Sequence, residues 1–158
     1  MTEILVVKLG ALGDFVQALR PFAAIRRHHG DDRITLLTTA PFADFATAWG
    51  AFDRVWTEER AGWHQVGAWL GLRRRLRGGG FCRVYDLQTS DRSSFMYRLF
   101  WPGPYPEWSG IATGCSHPHA NPRRDFMHTL GRQAEQLSMA GVGPVAAPDL
   151  AWVDSDVR

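Results

Sequence analysis

Three stretches of the 158-residue chain combine residue types and spacings that could do chemistry. The first is Gly10-Ala11-Leu12-Gly13-Asp14. Glycines let a backbone turn tightly and let a ligand approach it closely. A helix starting just beyond them offers unpaired N–H groups and a positive dipole end. Asp14 and Gln17 stand three apart, as in a capping box, and on these residues alone helix capping is the stronger reading of Asp14. The spacing is neither G-x-G-x-x-G nor a P-loop, which argues against a dinucleotide or nucleoside-triphosphate domain. The second stretch is the polar turn Gln88 to Ser94. Arg92 lies there among Thr89, Ser90, Ser93 and Ser94. A guanidinium pairs with carboxylates and phosphates through two parallel hydrogen bonds. Asp91 beside it equally offers a local ion pair and a helix cap. Arg123 and Arg124 precede a helix and are placed either to meet an acid group or to lie in a solvated loop. The third stretch holds Cys115, His117 and His119. Thiolate and imidazole ligate zinc, but this spacing matches no familiar finger and lacks an obvious fourth ligand. It reads as a loop without metal.

These residues need elements to position them. Ile4 to Val7 is apolar on both faces, as in a buried strand of a parallel sheet. A helical pattern opens at Asp14, with Phe15, Leu19 and Phe22 at helical spacing. Pro21 should kink it or begin a second segment, and Gly30 ends it. Further strands are expected at Ile34 to Thr39, Arg54 to Thr57 and Phe81 to Leu87, with a weak one at Glu107 to Ile111. Helices are expected at Pro41 to Trp49, His64 to Arg77, Phe95 to Phe100 and Asp125 to Ala140. Strands alternating with helices imply an α/β fold, a Rossmann-like doubly wound parallel sheet. The Gly10–Asp14 and Gln88–Ser94 turns should then share its C-terminal edge, where ligands of such sheets bind.

Composition narrows the classes. Apolar residues make up 45% and charged residues 22%, ordinary values for a folded domain. A net charge of +2 gives no case for nucleic acid. Lys8 is the only lysine, and arginines gather at Arg73, Arg74, Arg75 and Arg77. That run reads as a solvated helix face, or as a surface resting on anionic lipid headgroups with Trp63 and Trp69 nearby. Cys82 and Cys115 are too few for a disulfide framework, although a bridge between them stays open. No apolar run is long enough to cross a bilayer, and the N-terminus does not read as a signal peptide, so a cytoplasmic location is expected.

Ile4 to Asp14, followed by Ala18-Leu19-Arg20-Pro21, resembles the opening of the ADP-heptose:lipopolysaccharide heptosyltransferase family. Asp86-Leu87-Gln88 is similar to that family's next landmark. His128 to Arg132, leading into Ala140-Gly141, resembles its helix before the interdomain linker. The resemblance implies one half of a GT-B two-domain architecture. Residues 1–142 would be the acceptor-binding domain, and 143–158 a linker to a second domain that holds most of the nucleotide sugar. It implies an inverting transfer of a heptose or related sugar from ADP-heptose to a lipopolysaccharide core. The nucleotide sugar is then a substrate, and neither cofactor nor metal is used. The family's catalytic aspartate falls on Asp14, a base that would take the acceptor hydroxyl proton. Gly10 and Gly13 shape the turn beside it. Gln88, Arg92 and Arg124 are the expected contacts to an anionic glycolipid acceptor, at the inner face of the inner membrane. Gln17 stands where the family often has His, which removes any proton-handling role there. The competing reading is a non-catalytic module that binds a glycolipid or partner protein.

Protein purified without chelator should contain no stoichiometric zinc by elemental analysis. One zinc per chain, lost in Cys115→Ser, would overturn the metal-free reading of the Cys115–His119 loop.

Overall fold

The computed structural model describes residues 1–145. Six strands form one sheet: β1 (Glu3–Val7), β2 (Arg33–Thr38), β3 (Arg54–Thr57), β4 (Phe81–Asp86), β5 (Glu107–Gly110) and β6 (His117–Pro118). Their order is β3-β2-β1-β4-β5-β6, and every pair is parallel. The winding direction therefore reverses between β1 and β4. Such a switch opens a crevice at the C-terminal ends of the two strands.

Alternation along the strands builds a core on each face. Ile4, Val6, Ile34, Leu36 and Tyr85 point to one side and pack with Phe15, Phe22, Ile25 and Leu137. These come from α1 (Leu12–Gln17), α2 (Leu19–His29) and α6 (Thr129–Met139), while Ala46 comes from α3 (Ala40–Trp49). Leu5, Val7, Leu37 and Val84 point to the other side. There they meet Trp69, Leu72 and Leu76 of α4 (Val66–Gly78) and Met96 of α5 (Asp91–Arg98).

Several element boundaries differ from the sequence expectation. The first helical stretch breaks at Ala18, the C-cap of α1, and Pro21 lies within the first turn of α2. There a proline's missing N–H costs nothing. Helix α5 starts at Asp91 rather than Phe95, because Ser90 and Ser93 form a reciprocal capping box inside the expected polar turn. The expected helix from Asp125 is divided into one 3-10 turn, Arg124–Phe126, and α6 from Thr129. The short strand β6 occupies part of the expected Cys115–His119 loop. Both cysteines are free thiols. Gly143 to Val145 carry no helix or strand, and the remainder of the expected linker lies outside the described residues.

Gly10 has a φ of +139°, and a Cβ there would sit 2.9 Å from Phe42 Cε2. The Phe42 ring is itself stacked on Phe15, at 4.8 Å between centroids. Gly13 has an ordinary φ and open space around it. Gly10→Ala should therefore cost about 1–3 kcal/mol, from a strained backbone and overpacking, whereas Gly13→Ala should leave the melting temperature nearly unchanged. Equal effects of the two substitutions in thermal melts would contradict this assignment.

Candidate active site

The C-terminal ends of β1 and β4 meet at the switch point, in register at Val7 and Asp86. Beyond them the two expected turns are tied together. The Leu9 N–H donates to Gln88 Oε1 at 2.9 Å. Leu87 N–H and Gln88 N–H both donate to the Val7 carbonyl. Thr39 Oγ1 donates to the Leu9 carbonyl at 2.7 Å, which fixes the other flank of the β1 turn. Gln88 therefore braces the turn at Gly10, whereas Gly13, expected in that turn, lies inside α1.

Asp14 does not cap its helix. The N-cap of α1 is Ala11, which has no side-chain hydrogen bond to give, and Asp14 lies in the first helical turn. Its carboxylate is exposed and accepts no hydrogen bond among the described residues. It stands at the N-terminal end of α1, with a second charged group, Lys8, behind it. The Lys8 side chain is buried behind the turn, and its Nζ donates to the Leu87 carbonyl at 3.4 Å. Burial lowers the Lys8 pKa, opposed by attraction to Asp14 and then Asp86. The capping reading of Asp14 and Gln17 is thus corrected: the helix begins three residues earlier than a cap at Asp14 requires.

Asp86 is fully buried. Its Oδ1 accepts from Gln88 N–H at 3.1 Å and Thr89 N–H at 2.9 Å, while Oδ2 has no partner among the described residues. Burial pushes its pKa up to about 6, against hydrogen bonds from Thr89, Ser93 and Gln88 and the attraction of Lys8. Helix α6 closes over the same strand end. Gln136 Nε2 donates to the Asp86 carbonyl at 2.9 Å and the Ser109 carbonyl at 3.2 Å, and Gln133 Nε2 reaches the Leu87 carbonyl at 3.4 Å.

Arg124 joins this edge. Its Nε donates to His119 Nδ1 at 3.2 Å, and its Nη2 is buried without a hydrogen-bond partner. Burial lowers its pKa, reinforced by repulsion from Arg132 and opposed by Asp125 and Asp86. His119 lies within 3.0 Å of Glu135 Oε1 through Nε2. The ring thus bridges Arg124 on Nδ1 to Glu135 on Nε2 and holds the guanidinium in place. His119 is thereby committed to Arg124 and Glu135. His117 meets Ser116 and Arg83, and Cys115 faces the Gly110 carbonyl. Among the described residues, no three His, Cys, Asp or Glu side chains converge as a metal site.

Arg92 takes a different partner from the one next to it in sequence. It donates through Nε to Glu58 at 3.0 and 3.2 Å and also through Nη2, and its Nη1 donates to the Ala61 carbonyl at 2.7 Å. The guanidinium lies over Trp69, 4.5 Å from the ring centroid. The pair walls a pocket of about 330 Å³ between the end of β3 and α4. Lys8, Asp86, Arg132, Gln133 and Gln136 are not singled out as site residues by the sequence, and His119 is singled out only within the Cys115–His119 stretch. The available signal was a lone lysine ending an apolar strand.

A six-stranded parallel sheet of this order, with its turns gathered at the switch point, is the architecture of one half of a GT-B glycosyltransferase. No family model and no curated protein matches the sequence. Solved structures do match the fold. The glycosyl transferase family 9 protein of Veillonella parvula DSM 2008 superposes with a TM-score of 0.76 at 16% identity, over 92% of this chain and 42% of its own. E. coli heptosyltransferase WaaC with ADP-2-deoxy-2-fluoro heptose gives 0.66 at 16% identity, over 93% of this chain and 51% of its own. E. coli ADP-heptose lps heptosyltransferase II gives 0.68 at 14% identity, over 94% and 46%. The chain spans about half the length of these proteins or less.

The Asp86 pKa fixes a pH dependence. Because the folded value lies above the ordinary 3.8, protonation favours the fold. The stability this group contributes is fullest below about pH 4 and is lost as pH rises through about 6. Asp86→Asn keeps a neutral acceptor for Gln88 and Thr89. Relative to the parent, it should gain on the order of 2–3 kcal/mol between about pH 4 and pH 7, read by urea unfolding. A stability difference that does not change with pH would remove the assignment.

Proposed function

We propose that this chain is the acceptor-binding half of an inverting glycosyltransferase of the ADP-heptose:lipopolysaccharide heptosyltransferase family. In this reading a heptose or related sugar passes from ADP-heptose to an anionic glycolipid of the lipopolysaccharide core. The observation that carries it is the exposed Asp14 carboxylate at the switch point, unused by helix capping and backed by Lys8.

In the proposed reaction Asp14 takes the proton of the acceptor hydroxyl as that oxygen attacks the anomeric carbon of the donor. The bond from that carbon to the nucleoside diphosphate breaks, and the diphosphate leaves with the electron pair. The positive charge of Lys8 lies behind the turn, near enough to be attracted by Asp14. Arg124, with its unpaired Nη2, and Arg132 supply positive charge for an acid group of the acceptor. Arg92 already shares its charge with Glu58, so its part is to hold the wall of the neighbouring pocket. Gly13 leaves room for close approach to the first turn of α1. The donor comes mainly from a second domain, because catalysis requires both partners in attack geometry across a cleft.

This chain alone should transfer no sugar from ADP-heptose to a deacylated lipopolysaccharide core. In a chain that also carries a donor domain, Asp14→Asn should lower turnover by about 10²–10⁴-fold, with an unchanged melting temperature. Near-normal turnover of that variant would remove Asp14 from the chemistry. Transfer by this chain alone would refute the need for a second domain.

A further inference from the structure

Helix α4 buries one side and leaves the other open. Trp69, Leu72 and Leu76 face the core, whereas Val66 and Leu70 are 62% and 54% exposed. At about 100° per residue, Val66, Leu70, Arg73, Arg74 and Arg77 fall on a single stripe about 100° wide. The helix contains no acidic residue. The apolar pair lies towards its N-terminal end and the arginines towards its C-terminal end. Leu70, Arg73, Arg74 and Arg77 line an open depression of about 500 Å³. Two exposed indoles flank the stripe. Trp63, 57% exposed, is stacked on Trp69 at 5.0 Å. Trp101, 67% exposed, is drawn beside α4 by Arg73, whose Nη2 donates to the Trp101 carbonyl at 2.6 Å. Arg77 holds the same loop through the Gly103 carbonyl at 3.3 Å.

We infer that this face of α4, with Trp63 and Trp101, docks on the surface of an anionic lipid bilayer. Tryptophan and short apolar side chains settle at the headgroup level, and arginines on the same stripe meet lipid phosphates. The charge is one-signed and close-set, and the apolar side chains occupy the same face. A nucleic-acid surface would meet the arginines but would give Val66 and Leu70 nothing to bury against. The site edge is near this face: Trp63 contacts Phe95 of α5, whose N-terminus follows the Asp86 strand end. Docking would hold the switch-point crevice beside the membrane surface, where the head of a membrane-anchored acceptor lies.

The test is sedimentation of this chain with phosphatidylcholine vesicles, with and without phosphatidylglycerol. Binding is expected only to the anionic vesicles and should be lost at high salt. Each arginine at such a surface is worth about fivefold in partition. Arg73→Gln/Arg74→Gln/Arg77→Gln should therefore weaken binding about 10²-fold. The double variant Leu70→Gln/Arg74→Gln leaves the Trp101 and Gly103 hydrogen bonds intact and should still weaken it more than fivefold. Four outcomes would overturn the inference: no binding to either vesicle, equal binding to both, unaltered binding by the double variant with an unchanged melting temperature, or displacement from vesicles by single-stranded RNA. None of these readouts depends on sugar transfer, so the docking surface and the proposed reaction stand or fall separately.

Discussion

The switch-point edge depends on one buried carboxyl group, Asp86 at the end of β4, with the buried Lys8 nearby at the end of β1. Removing a carboxylate from water costs several kcal/mol unless hydrogen bonds and a counter-charge replace the lost hydration. Here backbone N–H groups of Gln88 and Thr89 serve Oδ1, and Lys8 supplies the counter-charge. The same contacts force the chain after β4 into a tight turn, from which Ser90 starts α5. They also place Gln88 where its side chain can brace Leu9 and hence the Gly10 turn. Asp14 is positioned at the end of this sequence of constraints and is the only member that faces solvent.

The two faces of the sheet use their arginines differently. On the α4 side, Arg92 is bound to Glu58, Ala61 and Trp69, and Arg75 donates to the Thr57 carbonyl while lying over Trp56. These guanidiniums hold helices to the end of β3. On the α6 side, Arg124 keeps one buried nitrogen without a partner. Buried donors left unpaired cost stability. The unpaired Arg124 Nη2 stands at the same strand edge as the unpaired Asp86 Oδ2.

Much of this fold was legible in the sequence because local signals agreed with it. Apolar runs at Ile4 and Phe81, bounded by glycines, specify strands buried on both faces. The two turns and their shared edge follow from strand–helix alternation. What the sequence did not disclose was set by contacts distant along the chain. Arg92 lies 34 residues from Glu58, and nothing local announces that it reaches there instead of pairing with Asp91. The capping expectation at Asp14 failed because the backbone turned earlier, at Gly10, where packing against Phe42 fixes the geometry. His119 reads as one of a Cys–His cluster until the fold brings Glu135 and Arg124 to its two nitrogens.

Helix α6 has a mechanical consequence. Gln133 and Gln136 lash it to the carbonyls of Leu87, Asp86 and Ser109, so it moves as one body with the strand ends that carry the site. Val142 is buried just past its end, and Gly141 beside it has a φ of +82°. Past Val142 the chain stays tied to α2 and the core: Arg27 Nη2 donates to the Pro144 carbonyl at 3.4 Å, and Val145 packs against the same apolar cluster. The helix acts as a fixed anchor post: a pull on it passes directly to the ends of β4 and β5, so α6 and the site edge shift together or not at all.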